Sequence, residues 1–320
     1  MPNRSVLIWI VLAASLLMTL AVAVSIGSQQ LTLFDLDDTQ RAIFFDIRLP
    51  RVLLAACVGA SLAVAGASLQ ALLRNPLAEP YLLGVSNGAA LGTMLAFVFF
   101  EQFIFARPLM AFFGAALATF VVYQMARSRA GMNVERLVLS GVIVTTFLSS
   151  IIVLLTSLLD AARLRGFTFW LLGDLSQATM NGFYLTLVTA VIGTLVLTSQ
   201  AKSLNLMMIG ERDALDFGVE VGRVRMLVFA MASLLVGSAV AASGSVGYVG
   251  LIVPHLVRLA IGSDNRLVVP MSAIAGAIFV MLADTIARVA IAPRELPVGA
   301  VTALIGAPVF IYLLNRSGRL

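Results

Sequence analysis

Residues 74–92 read RNPLAEPYLLGVSNGAALG and form a polar segment between two long apolar runs. Pro76 and Pro80 interrupt the segment, and proline disrupts the interior of a helix because it lacks a backbone N–H donor. A lipid-facing helix also does not carry Arg74 and Glu79 so close together, since charged groups are costly in a bilayer. We therefore interpret 74–92 as a hinge that other groups contact, between two membrane-spanning helices.

The composition of the whole chain is typical of a membrane protein. Of its 320 residues 60% are hydrophobic and 12% are charged, and the mean hydropathy is +1.02. A soluble core does not need so apolar a sequence, and about 20 apolar residues suffice to cross a hydrocarbon layer roughly 30 Å thick. We predict an all-α fold, a polytopic transmembrane bundle of about ten helices.

Uncharged runs give the positions of the predicted spans. The run 226–257 is too long for one span, and its glycines and serines at 243–250 divide it into a seventh span and a short or broken eighth. The other predicted spans cover residues 6–26, 52–73, 81–100, 108–126, 137–159, 182–201, 267–290 and 296–314. The polar connections are too short for an independent core, so residues 1–320 are predicted to form one domain.

The distribution of arginines predicts the orientation of the bundle. The apolar core of the first span is longer than that of a signal peptide, so we expect the span to be retained. If the N-terminus is cytoplasmic, the alternation of ten spans puts 13 of the 21 basic residues inside and eight outside. Because cytoplasmic loops carry an excess of basic residues, this count favours a cytoplasmic N-terminus.

Several functional classes are disfavoured by what the chain contains. Cys57 and His255 are its only cysteine and histidine, too few for an internal disulfide or a metal or haem site. We therefore expect no cofactor and expect any metal cargo to arrive already chelated. The net charge of +5 comes from arginines beside the membrane rather than from a basic soluble face, so we expect no nucleic-acid partner.

The sequence does not contain its own ATPase. A phosphate-binding loop requires G-x-x-x-x-G-K-[ST], whereas the only lysine, Lys202, lies in AKSLN. Asp284 and Arg288 are four residues apart on one predicted helix and can pair, and we expect Arg258 to extend to the membrane surface. We predict that the chain is not an enzyme and that a partner hydrolyses ATP. A proton-coupled transporter of amphiphiles and a non-transporting scaffold remain alternatives.

The connection 202–225 is a candidate docking surface for such a partner. Gly210, Ala214 and Gly218 recur every four residues, and small residues at this spacing let another backbone approach closely. Two short helices with a Gly-Val corner would fit this segment. A solvated connector without a partner is the alternative interpretation.

Four segments together resemble the permease subunits of type II ABC importers, which take up iron-siderophores, haem and cobalamin. Three of them are GERDALDFGVEVG (210–222), SGSVGYVGLIVPHLVRLAIG (243–262) and RELPVGAVTALIGAPVFIYLL (294–314). The fourth is IRLPRVLLAACVGASLAVAGASLQALLRNPLAEPYLLGVSNGAALG (47–92). They occur in the order found in the family, and the resemblance covers almost the whole chain.

The resemblance implies the partners and the location of the protein. A permease of this kind lies in the inner (cytoplasmic) membrane and assembles with a second permease subunit, either an identical copy or a similar paralogue. Two ATP-binding cassette subunits bind on the cytoplasmic side, and a periplasmic binding protein delivers the cargo. A ferric siderophore is the cargo we expect, with cobalamin and haem as alternatives.

The resemblance also assigns roles to individual residues. Arginines matching Arg48, Arg51 and Arg288 receive carboxylates of the binding protein in the family, while anchoring at the membrane interface is the alternative from sequence alone. The family's coupling element corresponds to residues 210–222 within the segment 202–225. Its contact positions are predicted to be Gly210, Glu211, Ala214, Gly218 and Val219.

Residues at the cytoplasmic end are expected to form a gate. Asn75 and Leu77 match positions that line the inner constriction of the family, although a simple turn would also account for them. The opposing gate of the family has small hydroxyl residues, where this chain has Val134 and Glu135. The resemblance therefore does not give the chemistry of the second gate.

Overall fold

The computed structural model describes residues 2–27, 37–100, 103, 105–128, 131–132 and 134–317. Seven helices in these ranges are long and apolar enough to cross a membrane, and three shorter helices are also apolar, so the predicted bundle of about ten helices is confirmed. The elements are α1 Pro2–Ser25, α2 Asp38–Ala42, α3 Leu49–Leu72, α4 Val85–Phe99, α5 Ala106–Ala126, β1 Arg127–Ser128, β2 Gly131–Met132, α6 Val134–Thr156, α7 Ala161–Leu171, α8 Met180–Ser199, α9 Ala201–Ile209, α10 Glu211–Asp216, α11 Val221–Ser243, α12 Val249–Ile261, α13 Asn265–Val289 and α14 Val298–Ser317.

The predicted division of the run 226–257 is confirmed. Helix α11 ends at Ser243, and Gly244 and Tyr248 then adopt φ values of +67° and +68°, in the left-handed region where a right-handed helix cannot continue. The 13 residues of α12 extend only about 20 Å at 1.5 Å per residue. Because the hydrocarbon layer is roughly 30 Å thick, α12 is too short to cross it alone.

Two helical segments lie in connections that the apolar pattern leaves unassigned. Helix α2 and a π-helical turn, Ile43–Arg48, continue into α3, so that Asp38–Leu72 forms one helix of 35 residues. The side chains of Asp37 and Gln40 form a capping box at its start, and Asp160 caps α7 by accepting a hydrogen bond from the Arg163 N–H. These acidic caps are the sequence signals for both helix starts.

Helix α3 forms the centre of the bundle, and small residues allow its neighbours to approach closely. A Cβ atom on Gly59 would lie 2.1 Å from the carbonyl oxygen of Gly276 on α13, and one on Gly66 would lie 2.0 Å from that of Gly250 on α12. Neither space can hold a methyl group. Close packing of this kind is the main source of helix association in membranes, where the hydrophobic effect does not act between helices.

The peripheral helices carry their apolar side chains outward. Leu17 on α1, Phe113 on α5, Leu154 on α6 and Leu185 on α8 are each more than 60% exposed, as expected for surfaces that face lipid. We call the end of the bundle that contains the C-terminus of α1 and the start of α3 the outer end, following the predicted orientation. The opposite end, which contains α9 and α10, is the inner end.

Candidate functional site

The three arginines predicted at the outer end lie together around one buried carboxylate. Asp284 accepts hydrogen bonds from Arg51 Nε at 2.9 Å and from Arg288 Nε at 3.0 Å, so the predicted pairing of Asp284 with Arg288 is confirmed. Asp284 is completely buried, and the three arginines are only 5–6% exposed. The Asp284 carboxylate therefore joins α3 to α13 inside the protein.

Two of these arginines also cap helix α1. Arg48 Nη1 donates to the carbonyl oxygens of Val24 and Ser25, and Arg288 donates to those of Ala23 and Ile26. The last carbonyls of a helix have no partner within the helix, and cations are favourable near its C-terminus. Arg48 and Arg288 thus hold α1 against the bundle, and this structural role does not depend on a partner protein.

One side of this group is open to the surroundings. Glu295, in the connection between α13 and α14, accepts a hydrogen bond from Arg51 Nη1 at 2.7 Å, and its side chain is 41% exposed. A pocket of about 200 Å³ is bordered by Glu295, the three arginines and the α1–α3 connection. We call Arg48, Arg51, Asp284, Arg288 and Glu295 the arginine cluster. It presents guanidinium groups to a small external pocket whose rim already carries one carboxylate.

The predicted coupling segment contains two short helices and a sharp corner, as expected. The N–H groups of Gly218 and Val219 donate to the carbonyl oxygens of Leu215 and Ala214, both at 2.9 Å. This is the Schellman arrangement that ends a helix, and it requires the left-handed φ of +78° at Gly218. The Gly-Val pair therefore turns the chain from α10 into α11.

The three small residues of this segment do not lie on one helix. Gly210 precedes α10 in extended backbone and Gly218 follows it, because α10 has only six residues. Ala214 is completely buried, so it is not available to a partner. Glu211 is exposed and forms an ion pair of 3.1 Å with Arg225 on α11, which fixes α10 relative to the membrane helices.

The predicted gate residues lie in a turn at the inner end. Asn75 Oδ1 accepts a hydrogen bond from the Leu77 N–H at 2.9 Å, an arrangement in which asparagine stabilises a turn. Both side chains are exposed, Leu77 to 46%. Glu135 is exposed at the start of α6, and the side chain of Val134 lies outside the described residues. Within the described part of a single copy, no contact closes a pore at Leu77.

The hinge is connected to the break between α11 and α12 by a polar group that the sequence interpretation missed. Glu79 Oε1 accepts a hydrogen bond from the Tyr248 N–H at 3.1 Å, and Tyr81 Oη bonds the backbone of Val246 at 2.9 Å. We call Glu79, Tyr81, Val246 and Tyr248 the central junction. The sequence indicates this junction only by the placement of Glu79 between two prolines. The residues that Glu79 and Tyr81 contact lie about 170 positions further along the chain.

The guanidinium of Arg258 is held by α3. Its Nη2 donates to the carbonyl oxygen of Ala67 at 3.0 Å and its Nη1 to the side chain of Gln70, both on α3. Gln70 in turn donates to the carbonyl oxygens of Gly250 and Leu251. Arg258 is therefore part of a polar contact between α3 and α12. Among the described residues, no group of three histidine, cysteine or acidic side chains could hold a metal ion.

Comparisons with known proteins agree with this architecture. The model of the FecCD transport family matches residues 6–316. The chain is 42% identical to the cobalamin import system permease of Halobacterium salinarum over 285 residues, covering 88% of this chain and 76% of the relative. It is 38% identical to the hemin transport system permease of Yersinia pestis over 303 residues, covering 92% and 89%.

One solved structure resembles the chain over nearly its full length. It is an ABC transporter assigned to the metal-chelate type, in an inward-facing conformation. The superposition has a TM-score of 0.88 with 33% sequence identity, and it covers 97% of this chain and 99% of the other.

Proposed function

Because this chain belongs to the FecCD transport family, we propose that it is the membrane permease subunit of an ATP-driven importer whose cargo is a chelated-metal nutrient. We expect a ferric siderophore, with haem or cobalamin as the alternative cargo. The main support is the likeness over nearly the whole chain to a transporter of the metal-chelate type. Related permeases named for cobalamin and for hemin leave the choice among these cargoes open.

The proposed assembly contains two such permeases, two ATP-binding cassette subunits and one periplasmic binding protein, in the inner membrane. The ATPase contact is proposed to include Gly210, Glu211, Gly218 and Val219. Glu211 supports this role because it is exposed and also paired with Arg225 on α11. A displacement of α10 by the ATPase would therefore be transmitted directly to a membrane helix. Ala214 contributes indirectly, as the buried residue that holds α10 in place.

Reconstitution into liposomes tests the proposal. The permease with its ATPase subunits and binding protein should accumulate cargo only when ATP is supplied, whereas the permease alone under a proton or sodium gradient should accumulate none. A panel of ferric siderophores, haem and cobalamin identifies the cargo. Accumulation by the permease alone would refute the proposal and favour a proton-coupled transporter. No transport by the complete assembly with any member of the panel would favour a scaffold.

We also propose that the arginine cluster receives carboxylates of the binding protein. Its external pocket supports this, since a guanidinium binds a carboxylate through two parallel hydrogen bonds. Charge reversal at Arg48 or Arg51 should weaken capture of the binding protein. It would also disturb the buried pair with Asp284, so a charge-balanced variant is needed to separate docking from folding.

The double variant Arg51→Gln/Asp284→Asn removes one charge of each sign from the interior, and Arg163→Gln/Asp160→Asn, which removes an exposed ion pair elsewhere at the outer end, is its matched control. We expect the double variant to bind the binding protein more weakly than the control, with the difference largest at low salt, where surface charges are least screened. Binding to nanodisc-held permease measures it. Equal affinities of the two variants at low salt would remove Arg51 from the docking site.

A further inference from the structure

A second cavity at the outer end is distinct from the arginine cluster and has not been given a role. Its volume is about 640 Å³, within the range of ligand pockets, and it lies between α7, the facing ends of α4 and α5, and the start of α8. The side chains that define its chemistry are Phe97, Arg107, Arg165, Phe169, Trp170 and Asp174. We call it the outer cavity.

The two arginines of the outer cavity have no carboxylate partner within the described part of the chain. The guanidinium of Arg107 lies over the ring of Phe97 at 4.3 Å from its centre, and that of Arg165 lies 5.9 Å from the centre of Phe169. An aromatic ring orients a guanidinium but does not neutralise its charge. Arg163, two residues from Arg165 on the same helix, contrasts with both because it pairs with Asp160.

Among the described residues that line the outer cavity, the one carboxylate, that of Asp174, is engaged elsewhere. Asp174 Oδ1 accepts a hydrogen bond from the Ser176 N–H at 2.7 Å, within its own turn. The described lining thus has two guanidinium groups and one carboxylate, an excess of positive charge. The cavity is therefore complementary to an anion attached to an apolar body, since aromatic and aliphatic side chains form most of its remaining wall.

The position of the outer cavity indicates where such a ligand comes from. Arg107 and Phe105 begin α5, and Thr179 precedes α8. Both helices present exposed apolar side chains to the surroundings, including Leu109 and Leu185. Helix ends in which arginine and aromatic residues alternate lie at the level of lipid headgroups. We infer from this that the cavity lies at the level of the headgroups of the outer leaflet.

We propose that the outer cavity binds an anionic phospholipid of the outer leaflet. Arg107 and Arg165 bind the headgroup phosphate, because guanidinium forms paired hydrogen bonds with phosphate oxygens. An acyl chain lies against Phe169 and Trp170 and fills the space between α7 and the membrane helices. The bound lipid holds α7 against the ends of α4 and α5. This site is independent of the transport proposal, since it requires neither cargo nor ATP.

Tryptophan fluorescence can report on this site alone. The chain has two tryptophans, Trp9 and Trp170, so the variant Trp9→Phe leaves only the one in the outer cavity. Bromine atoms on an acyl chain quench tryptophan when the two are in contact. The W9F permease is placed in nanodiscs of phosphatidylcholine to which brominated phosphatidylglycerol or brominated phosphatidylcholine is added at equal mole fraction. The two titrations compare an anionic with a zwitterionic headgroup.

We expect brominated phosphatidylglycerol to quench Trp170 at a severalfold lower mole fraction than brominated phosphatidylcholine, about fivefold for each arginine. Both lipids carry a phosphate, but the quaternary ammonium of choline cancels its charge and repels the two arginines. In the background W9F, the double variant Arg107→Ala/Arg165→Ala should lose this preference. The matched control Arg163→Ala should retain it. Equal quenching by the two lipids, or a preference that survives the double variant, would overturn the proposal.

Cargo is the competing occupant of the outer cavity, and the same preparation tests it. Hemin carries carboxylates on a flat apolar ring, and its neutral dimethyl ester is the matched control. If hemin, but not the ester, displaces brominated phosphatidylglycerol from wild-type sites at equal concentration, and the displacement requires Arg107 and Arg165, the cavity is a cargo site and the lipid assignment is wrong. Quenching that is unchanged by both compounds supports the lipid.

Discussion

Asp284 is a single carboxylate shared by two buried arginines, one on α3 and one on its own helix. Each guanidinium has left water, and its charge is tolerated because Asp284 accepts its Nε–H group. Burying a charge without a partner is far more costly than burying a pair. The stability of the outer end therefore depends on Asp284 more than on any exposed residue of the arginine cluster.

Asp284→Asn should destabilise the protein strongly, by roughly 3 to 5 kcal/mol, because it leaves the buried Arg288 without a counter-charge and Arg51 with only the partly exposed Glu295. Glu295→Gln removes the other, partly exposed partner of Arg51 and should cost less than about 1 kcal/mol. Denaturant unfolding of both variants in the same detergent measures the difference. Similar losses in the two variants would contradict the central role of Asp284.

Asp264 makes the inner end sensitive to acid. Hydrogen bonds from Arg266 and Asn205 lower the pKa of Asp264 from 3.8 to about 2. Because the pKa is lower in the folded protein, the carboxylate contributes stability above about pH 4, and this contribution is lost as the pH falls from 4 towards 2.

The variant Asp264→Asn should therefore be less stable than wild type at pH 6, by less than about 1 kcal/mol, because the Asp264 side chain is 34% exposed and its partner Arg266 is exposed, so solvent screens the pair. The difference should shrink below pH 4. Thermal unfolding of both proteins at pH 6, 4 and 3 checks this expectation. If the stability difference between the two proteins grows on acidification, folding does not lower the pKa of Asp264.

At the scale of elements, the corner between α10 and α11 depends on one backbone conformation. Gly218 has a φ of +78°, and no atom lies within 4 Å of a Cβ added there. Any cost of substitution is thus conformational rather than steric, about 1 to 2 kcal/mol for a residue other than glycine. Gly222, four residues further in α11, also has free space but an ordinary φ, so it is a matched control.

Gly218→Val should reduce the amount of cargo transported per ATP hydrolysed, because a branched residue disfavours the Schellman corner that transmits motion from α10. Gly222→Ala should leave this ratio unchanged and should favour the helix by about 0.5 to 1 kcal/mol. Transport and ATP hydrolysis measured together in proteoliposomes give the ratio. Normal coupling in Gly218→Val would refute the role of the corner.

The helices could be predicted from the sequence, because local patterns determine them. The sites that form where distant segments of the chain meet could not be predicted. Apolar runs located the ten spans, and the glycines after Ser243 located the break in the long run. The capping of α1 by Arg48 and Arg288 could not be predicted, because it joins residues more than 20 and 260 positions apart. The bond between Glu79 and Tyr248 likewise depends on how α3 packs against α12.

For the molecule as a whole, the exposed side chains of Asn75 and Leu77 imply that a single copy is incomplete as a channel. An apolar side chain that is 46% exposed at the inner end of the bundle can close a pathway only against a neighbouring subunit. We therefore expect the inner end of the hinge to lie at the contact between two permeases.

Cysteine cross-linking tests this arrangement, and the chain is well suited to it. Its one cysteine, Cys57, is buried in α3, so a Cys57→Ala background leaves no native thiol. In that background, two copies of Leu77→Cys should form a disulfide when the permease is assembled with its ATPase, because gate residues approach within the roughly 7 Å between Cα atoms that a disulfide spans.

The yield of this disulfide should differ between the nucleotide-free and the ATP-bound assembly, since a gate has two states with different contacts. Leu154→Cys on α6 is the control, because Leu154 is 71% exposed but lies on a helix predicted to face lipid. It should form no disulfide in either state. If Leu77→Cys behaves like Leu154→Cys in an assembly that transports cargo, Leu77 does not form the gate, and the turn at Asn75 has only a structural role.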